Sequence, residues 1–509
     1  MSANDIKAVL STPRVLSSDG EYAIQSIDRD KLCFLEDGRL LVAEAYRRDP
    51  AVLAYEEFLR RSHVEFRVCL STVAEIQDLY LQGGGIDKSD TTQRQEQILR
   101  IMAEGVRVDA SDIHFRNDEQ TEVFMRVDGF FEKYTEFKRE DGRELCRSMY
   151  QSMTDVAEES YYENRSQKGR IASTFLQKFG LTGARIGSRT TDNGNVVVLR
   201  LLKKSVQRAL QDLGYLPEQE VDIERMMTKP FGINIFSGPT GSGKSTTLEV
   251  VLQKILKYHN HKINVMTVED PPEYLIPGVV QTVLKCDSED SESVAAAWSN
   301  AISELLRLDP DNIMIGEIRD LESGRAAFRA SMTGHGVWTT VHANHALQVL
   351  DRLIDLGVSP ALVSDASNLT GLVNQSLVVR NCPHCARSYA SAKHTLPAEV
   401  QKRVERYCNV EGVKVRGRNR GCQHCGGRGY KGRQVVAETV VPNQKLMNVY
   451  RKAGSAAARQ YWLAHMGGIS KCAHLKRLVS AGFVDPLFGE QQVCTLDYDD
   501  LTAGEDFEV

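Results

Sequence analysis

The stretch that decides the fold is residues 235–250, IFSGPTGSGKSTTLEV. An apolar strand runs into a glycine-rich turn, and a helix-forming segment follows the turn. Glycines let this backbone approach phosphate oxygens, a lysine ammonium can reach the β and γ phosphates, and a serine hydroxyl can ligate magnesium. The positive N-terminal end of the helix points at the same anions. The pattern therefore predicts a nucleotide cradle made of Gly238, Pro239, Thr240, Gly241, Ser242, Gly243, Lys244, Ser245 and Thr246.

Size and composition narrow the class of protein. A chain of 509 residues exceeds one hydrophobic core, so we expect two to four domains. The net charge of -5 gives no general basic field and argues against a bulk nucleic-acid binder. The N-terminus has no apolar signal region and the chain has no run of 18 apolar residues. We therefore expect a cytosolic protein whose membrane contact, if any, is peripheral.

The chain divides by composition into successive regions. Residues 1–82 mix short apolar runs with a charged helical stretch and predict a small α/β domain. The segment QGGGIDKSD, residues 82–90, is typical of a linker. Residues 91–203 combine a helical stretch with alternating strand-like segments and predict a second α/β domain.

The second half has a different pattern. After a connector at about 204–217, which ends near Gly214, residues 215–490 repeat strand, loop and helix. This order predicts a parallel sheet with helices on both faces. The end of the chain is rich in acids, and we expect residues 491–509 to form a solvated acidic tail.

Two acids follow apolar strands downstream of the cradle. Glu317 comes after Asn312–Ile315 in NIMIGEIRD, and Glu269 ends the strand of INVMTVEDPPEY. A carboxylate at such a strand end can polarise water or hold magnesium through water. Each acid alone could be a solvated strand end, but two of them after a phosphate cradle favour a catalytic role.

Two histidines in TGHGVWTTVHANH are seven residues apart, at positions 335 and 342. In a continuous strand this spacing places the two side chains on opposite faces. Both could face a nucleotide only with a bend or a helix end between them. The sequence alone leaves this point open.

Four of the 11 cysteines form two C-x-x-C pairs, and the other seven are scattered. The odd total argues against a secreted disulfide framework. Two such pairs can complete a tetrahedral zinc site, although the 36 residues between them exceed the common spacing. A redox C-x-x-C is the alternative, but no thioredoxin-like βαβ context surrounds either pair. The candidate ligands are Cys382, Cys385, Cys422 and Cys425.

Four segments, in order, resemble the motifs of one family. GPTGSGKSTTLE, TVEDPPEY, LLRLDPDNIMIGEIRD and TGHGVWTTVHAN are similar to the Walker A, Asp box, Walker B and His box of secretion and type IV pilus ATPases. Upstream, ASDIHF, VFMRVDG and ARIGSRTTDNGNVVVLRLL resemble that family's PAS-like second N-terminal domain. The resemblance covers about residues 95–480. It implies an α/β chain with a RecA-like P-loop motor domain, a PAS-like α/β domain and a small N-terminal α/β domain.

The resemblance also implies roles for individual residues. Glu317 would be the catalytic base, and Glu269 the Asp-box acid that helps magnesium and water. His342 would sense the γ phosphate. The arginines that reach the triphosphate from the N-terminal side would be Arg126, Arg185 and Arg200, although a surface ion pair is the alternative for each. The family often has R-F-R-I-D-G where this chain has FMRVDG, so one arginine of that pattern is missing.

For the cysteines, the resemblance implies a structural zinc within about residues 380–430, with His384 and His424 outside the ligand set. In this family the tetracysteine insert and an extra N-terminal domain accompany assembly motors rather than retraction motors. The implied cofactors are ATP, Mg²⁺ and Zn²⁺.

The implied function is that of a homohexameric ATPase, cytoplasmic and peripheral at the inner membrane, that turns a platform protein and polymerises pilin-like subunits. Residues 1–82 would be the docking domain. We expect a type IV pilus assembly ATPase, of type IVb, with a type II secretion ATPase as the alternative. A RecA-fold nucleic-acid translocase is disfavoured by the net charge and by the lack of interleaved aromatic and basic residues. The intact Lys244, Ser245 and Glu317 argue against a non-hydrolysing scaffold.

Overall fold

The computed structural model describes residues 15–18, 22–24, 28, 31–73, 75–76, 79, 88–157, 161–203, 208–284, 286, 291–417, 419 and 421–502. Of the predicted linker, residues 82–87 lie outside this set, and residues 88–90 begin a helix. The chain forms two compact units. One comprises residues 1–102 and 140–153, and the other comprises residues 103–139 and 154–509.

A small α/β fold occupies the N-terminal region, as the sequence predicts. Strand β2 pairs antiparallel with β1 and parallel with β3, and Asp49 caps the helix by accepting a hydrogen bond from the Ala51 amide. Apolar side chains of the strands and the helix, including Leu40, Val52 and Leu59, form its core. Its elements are β1 (Leu32–Phe34), β2 (Arg39–Ala43), α1 (Pro50–Arg61) and β3 (Arg67–Ser71).

The next region contains a seven-stranded antiparallel sheet within the described residues, in the order β6-β5-β4-β10-β9-β8-β7. Buried and exposed residues alternate along its strands, which is the period that the sequence showed. The elements are α2 (Lys88–Arg107), β4 (Ala110–Asn117), β5 (Gln120–Val127), β6 (Phe130–Lys138), α3 (Arg139–Met153), β7 (Thr154–Ala157), β8 (Gln167–Ile171), α4 (Ser173–Leu176), β9 (Leu181–Thr191) and β10 (Gly194–Lys203).

The region from residue 208 alternates strands and helices. Its first elements are α5 (Leu210–Leu213), α6 (Pro217–Met227), β11 (Gly232–Ser237), α7 (Lys244–Tyr258), β12 (Val265–Glu269), β13 (Val280–Val283), α8 (Ser291–Leu305), β14 (Asn312–Ile315), α9 (Leu321–Met332) and β15 (Gly336–Val341). They are followed by α10 (Gln348–Asp355), α11 (Pro360–Val363), β16 (Leu369–Asn381), β17 (Arg387–Ser388), α12 (Tyr389–Ala392), α13 (Ala398–Tyr407), β18 (Lys414–Val415), β19 (Tyr430–Val440), α14 (Gln444–His465), α15 (Lys471–Ser480), α16 (Pro486–Gln492) and α17 (Tyr498–Thr502).

The central sheet of this region has the order β13-β12-β14-β15-β11-β16-β19. Its strands are parallel except for the last pair, β16 and β19. Alternate residues of β11 enter two different cores: Ile233 and Ile235 pack on one face, and Phe236 packs on the other. Burial on both faces explains the continuous apolar runs of these strands. Because the parallel strands share one direction, their carboxyl ends form one edge, where ligands of such sheets bind.

The C-terminal segment is helical, which differs from the prediction. The solvated tail expected at 491–509 is wrong for residues 491–502, because α16 extends to Gln492, α17 follows and Leu496 is fully buried. Two acids of this segment have partners: the Asp499 carboxylate accepts a hydrogen bond from Arg459, and the Asp500 carboxylate accepts one from the Tyr407 hydroxyl. Composition alone could not reveal a cationic partner 40 residues away. Residues 503–509 of the predicted tail lie outside the described set.

None of the helices that the structure describes has both the length and the apolar character to cross a membrane.

Candidate functional site

The predicted phosphate cradle is a tight turn between β11 and α7. Gly238 has φ +140°, and a Cβ there would lie 2.1 Å from the Gln375 carbonyl oxygen, so a larger residue would displace the turn. Gly243, with φ +86°, directly precedes the first residue of α7. The turn therefore presents the helix N-terminus at the carboxyl edge of the sheet, as the sequence predicted.

Lys244 lies over this turn. Its Nζ donates to the carbonyl oxygens of Gly238 at 2.9 Å and Pro239 at 3.2 Å. Burial lowers the pKa of Lys244, while the nearby carboxylates of Glu317 and Glu273 act in the opposite direction. A charged ammonium that is held only by loop carbonyls can exchange them for phosphate oxygens, which bind it more strongly.

Glu317 and His342 meet at the same edge of the sheet, beyond β14 and β15. These strands are paired in parallel, so residues 25 positions apart in the sequence come together, with His342 Nε2 3.2 Å from Glu317 Oε1. The other carboxylate oxygen of Glu317 accepts a hydrogen bond of 2.8 Å from Arg319 Nε. The Thr340 hydroxyl donates to the Gly316 carbonyl and ties the two strand ends together. The Glu317 side chain keeps 19% exposure, so water can reach it.

The structure shows how the two histidines are placed, because β15 comprises all the residues between them. His335 precedes the strand, and its Nδ1 contacts the Ala330 carbonyl and the Thr333 hydroxyl. His342 follows the strand and contacts Glu317. The two rings are therefore at opposite ends of the strand, and only His342 is at the candidate site.

Glu269 ends β12 and is half-buried. Its Oε1 accepts hydrogen bonds of 2.8 Å from the Thr267 hydroxyl and the Gln281 amide. Burial raises the pKa of Glu269; the two hydrogen bonds lower it, and the carboxylate of Glu273 raises it further. The sequence did not indicate Thr267 and Gln281, which become neighbours only because β12 and β13 pair in this register.

The three predicted arginines lie in one row of the antiparallel sheet. Arg126 pairs with Asp112, Asp112 with Arg200, and Arg200 with Arg185 on consecutive strands. Directly opposed residues of antiparallel strands place their side chains on the same face. The register therefore forms one cationic face around a single acid. Asp112 was missed by the sequence analysis, although it belongs to the segment ASDIHF.

Within this row the arginines have different partners. Arg185 Nη2 donates to the carbonyl oxygens of Pro271 and Pro272, directly after the Asp-box acids. Burial lowers the pKa of Arg185, and the carboxylates of Glu273, Asp270 and Glu269 raise it.

The other two arginines are held within their own sheet. Arg200 Nε donates to Asp112 Oδ1 at 2.9 Å, and this hydrogen bond raises the pKa of Arg200. Arg126 donates to the Gly129 carbonyl of its own hairpin and lies over the Phe131 ring. Of the three, Arg185 is the one whose contacts join it to the Asp-box loop.

The four predicted cysteine ligands form one cluster. Their sulfur atoms all lie within 4.8 Å of one another. The Sγ atoms of Cys382 and Cys422 are 3.8 Å apart, and those of Cys385 and Cys425 are 3.7 Å apart. Four thiolates at zinc–sulfur bond length on a tetrahedron have edges of about 3.8 Å. The cluster therefore fits zinc. His384 and His424 pack ring against ring, with centroids 4.3 Å apart, outside the sulfur cluster.

The start of β19, shortly after the second cysteine pair, contacts the β5–β6 hairpin. The Gly429 amide donates to Cys425 Sγ, and shortly after it the Gly432 amide donates to Asp128 Oδ2 at 3.1 Å. Phe130 of the hairpin packs on Tyr430, with ring centroids 5.0 Å apart. The cysteine cluster thus supports the start of β19, which holds the sheet of the arginines against the parallel-sheet region.

The fold and the site define a RecA-like P-loop ATPase, with the phosphate turn, the strand-end acids and the arginine sheet around one edge. The chain matches the family described as Type II/IV secretion system protein over residues 87–479, and it belongs to that family.

Relatives with known names share about a third of their aligned residues with this chain. The Type II secretion system ATPase E of Vibrio cholerae is 33% identical over 365 residues, which are 71% of this chain and 68% of the relative. The Type IV pilus assembly ATPase PilB of Thermus thermophilus is 33% identical over 386 residues, which are 75% of this chain and 40% of the relative. Among solved structures, the ATPase DotB of Yersinia pseudotuberculosis superposes with a TM-score of 0.52 at 18% identity, covering 78% of this chain and 92% of that one. The last similarity concerns the fold alone.

We predict that Glu269→Gln stabilises the nucleotide-free protein in a pH-dependent way. Because burial raises the folded-state pKa of this carboxyl, the wild type loses stability as pH rises above the unfolded-state pKa. The decrease in the free energy of unfolding is complete above the raised folded-state pKa. The glutamine amide stays neutral at every pH, so the variant does not show this decrease. The gain in melting temperature of the variant over wild type should therefore be larger at pH 8 than at pH 5. An equal gain at both pH values would contradict this account of the Glu269 environment.

Proposed function

We propose that this chain is a hexameric ATPase that powers type IV pilus assembly through an inner-membrane platform protein. The observation that carries the proposal is the convergence of Lys244, Glu317, His342 and Glu269 at one sheet edge, with Arg185 joined to the Asp-box loop from the neighbouring sheet. In this proposal the protein works in the cytoplasm and reaches the membrane through its partner.

The proposed chemistry assigns a task to each group. The Glu317 carboxylate accepts a proton from the attacking water, because it is exposed enough to contact water and is oriented by Arg319. Lys244 neutralises the β and γ phosphates after it leaves the loop carbonyls. His342, beside Glu317, reports the presence of the γ phosphate. Bound magnesium would neutralise part of the triphosphate charge, with Ser245 and Glu269 as the residues of this chain that would hold it directly or through water.

The arginine sheet is the proposed link between chemistry and movement. Arg185 donates hydrogen bonds to the backbone carbonyls of Pro271 and Pro272, and a triphosphate can compete with these for it. Arg200 is paired with Asp112 and Arg126 with its own hairpin, so these two need a rearrangement before they reach a nucleotide. Because these arginines belong to a different sheet from the cradle, their binding to the triphosphate would depend on the position of that sheet. Hydrolysis of the triphosphate would therefore change the position that is favoured.

A type II secretion ATPase that drives pseudopilus assembly is the second candidate. Its support is the share of each relative that is aligned, because the Vibrio cholerae relative is covered over 68% of its length and the Thermus thermophilus pilus relative over 40%. Co-purification of the full chain with each candidate platform protein, followed by ATPase measurement, separates the two. Stimulation by a pilus platform protein supports the first candidate, and stimulation by a type II secretion platform protein supports the second.

We predict that Glu317→Gln loses ATP hydrolysis and keeps ATP binding. Removing the base should lower kcat by about 10²- to 10⁴-fold while the affinity for ATP changes little. Steady-state phosphate release and equilibrium binding of a fluorescent ATP analogue measure the two effects. Glu322→Gln is the matched control, because Glu322 is an exposed acid at the start of α9 that pairs with Arg325.

Two results would contradict the assignment of Glu317. Full activity in Glu317→Gln would transfer the role of base to Glu269. A wild type that assembles as a hexamer and hydrolyses no ATP, even with a platform protein, would contradict the proposed ATPase motor.

We propose that Cys382, Cys385, Cys422 and Cys425 hold one structural zinc, which leaves no open coordination position. Cys422→Ser should then lose the metal and loosen the start of β19, which contacts the β5–β6 hairpin. We expect zinc content to fall well below one ion per chain and hydrogen exchange to rise at residues 128–132. Cys286→Ser, which changes an exposed cysteine outside the cluster, should alter neither. Unchanged zinc content in Cys422→Ser would contradict the assignment.

A further inference from the structure

A buried acid, Glu438, lies behind the loop that carries His342. Glu438 is on β19, is 1% exposed and pairs across the sheet with Asn374 of β16. Its Oε2 accepts a hydrogen bond of 3.1 Å from the Ala346 amide. Its Oε1 lies 3.4 Å from Arg459 Nη2 and 3.8 Å from His345 Nδ1. The acid therefore holds the far end of the loop at residues 342–346, which we call the His342 loop.

The C-terminal helix α17 reaches the same cluster. The Arg459 nitrogen that contacts Glu438 also donates to Asp499 Oδ1 at 3.2 Å. The Asp499 Oδ2 accepts a hydrogen bond from the Ser470 hydroxyl. The Tyr498 hydroxyl is 2.9 Å from His345 Nε2, and the two rings stack with centroids 5.8 Å apart. Two adjacent residues of the predicted acidic tail thus reach the His342 loop. Tyr498 contacts His345 of the loop, and Asp499 contacts Arg459, which pairs with Glu438.

The remaining positions of the loop are held as well. Lys471 Nζ donates to the Asn344 carbonyl at 2.8 Å, and Asn374 Nδ2 donates to the Ala343 carbonyl at 2.9 Å. Residues 343 to 346 therefore each have a contact with the motor-domain core or the C-terminal segment. His342 begins this loop, and its Nε2 lies 3.2 Å from the Glu317 carboxylate.

The buried charge of Glu438 depends on the positively charged side chains around it. Burial alone would raise the pKa of Glu438, but the nearby His345 ring and the charges of Arg459 and Lys471 lower it to about 2. A buried charge persists only while it is paired and hydrogen-bonded, and loss of one partner leaves the other charge uncompensated. A change in α17 therefore acts on the His342 loop as well as on the surface of the helix.

We propose that Tyr498 and Asp499 are positioning residues for ATP hydrolysis. Through His345 and Arg459 they fix the His342 loop and so hold His342 against Glu317. The proposal rests on the proposed function, because it assigns the catalytic task to Glu317 and His342. It gives the acidic C-terminal segment a role within the motor domain, with no contact of its own to the nucleotide.

The first test compares two neighbouring acids of α17 in the full chain. Asp499→Asn weakens the contact with Arg459, whereas Asp500→Asn changes an acid that accepts a hydrogen bond from the exposed Tyr407 hydroxyl. The two variants carry the same change in charge and chemistry. Because a displacement of about 1 Å can cost up to about 100-fold in rate, we expect kcat of Asp499→Asn to fall about tenfold. We expect KM to stay within about twofold, and Asp500→Asn to match the wild type.

The second readout is hydrogen exchange at residues 342–347 by mass spectrometry, which needs no catalysis. The Ala346 amide donates to Glu438, so its exchange reports on the cluster directly. We expect faster exchange in Asp499→Asn and wild-type exchange in Asp500→Asn. If wild-type protein hydrolyses no ATP, the proposed function fails, and the exchange measurement still decides whether α17 holds the loop.

A second variant covers the case in which Asp499→Asn does not fold. Tyr498→Phe removes one hydroxyl from His345 and leaves the ring stacking, so the same two readouts apply to it. Slower turnover with faster exchange at 342–347 supports the proposal. Wild-type exchange in a folded variant overturns it, and so do equal losses of kcat in Asp499→Asn and Asp500→Asn.

Discussion

The parallel register of β11, β12, β14 and β15 is the constraint on which the rest of the motor region depends. Parallel pairing requires that all four strands end at one edge, and each strand end in this chain carries a polar group. The cradle follows β11, Glu269 ends β12, Glu317 follows β14 and His342 follows β15. Burial of both faces of the sheet fixes this register, because a slip of one residue would move apolar side chains out of two cores.

The second sheet uses antiparallel register for a different purpose. Cross-strand pairing brings arginines from four strands into one row, because Arg170 of β8 also pairs with Arg185, and Asp112 is the acid of this row. Asp112 holds Arg200, the hairpin holds Arg126, and Arg185 extends to the Asp-box loop. Equal charges in one row repel one another, so the separate partners of these arginines also stabilise the sheet.

The buried charges around Glu438 are better explained by their role in positioning the His342 loop than by a contribution to the stability of the fold. Replacing a buried ion pair with apolar side chains is often neutral or stabilising, so the cluster around Glu438 is weak evidence for a more stable fold. Its members instead hold consecutive positions of the His342 loop. The cysteine cluster also serves to position a neighbouring segment, because the start of β19, shortly after Cys425, contacts the hairpin of the arginine sheet.

The sequence by itself determined the local elements with their own signals. The glycine spacing before Lys244 predicted the turn and the helix after it, apolar runs predicted the parallel strands, and alternation predicted the antiparallel ones. Each C-x-x-C pair predicted that its own two sulfur atoms lie close together, whereas the meeting of the two pairs depends on the fold. The local features depend on a few neighbouring residues, which is why pattern and spacing suffice.

Tertiary structure alone decided which distant residues meet. Gln281 became a partner of Glu269 through strand pairing, and Asp112 became the acid of the arginine row through antiparallel register. The acidic C-terminal segment carried no sign that Asp499 would find Arg459, and its composition predicted the opposite. Contacts between residues far apart in the chain depend on the register of strands and the docking of helices, and both are set by the packing of the whole core rather than by any local pattern.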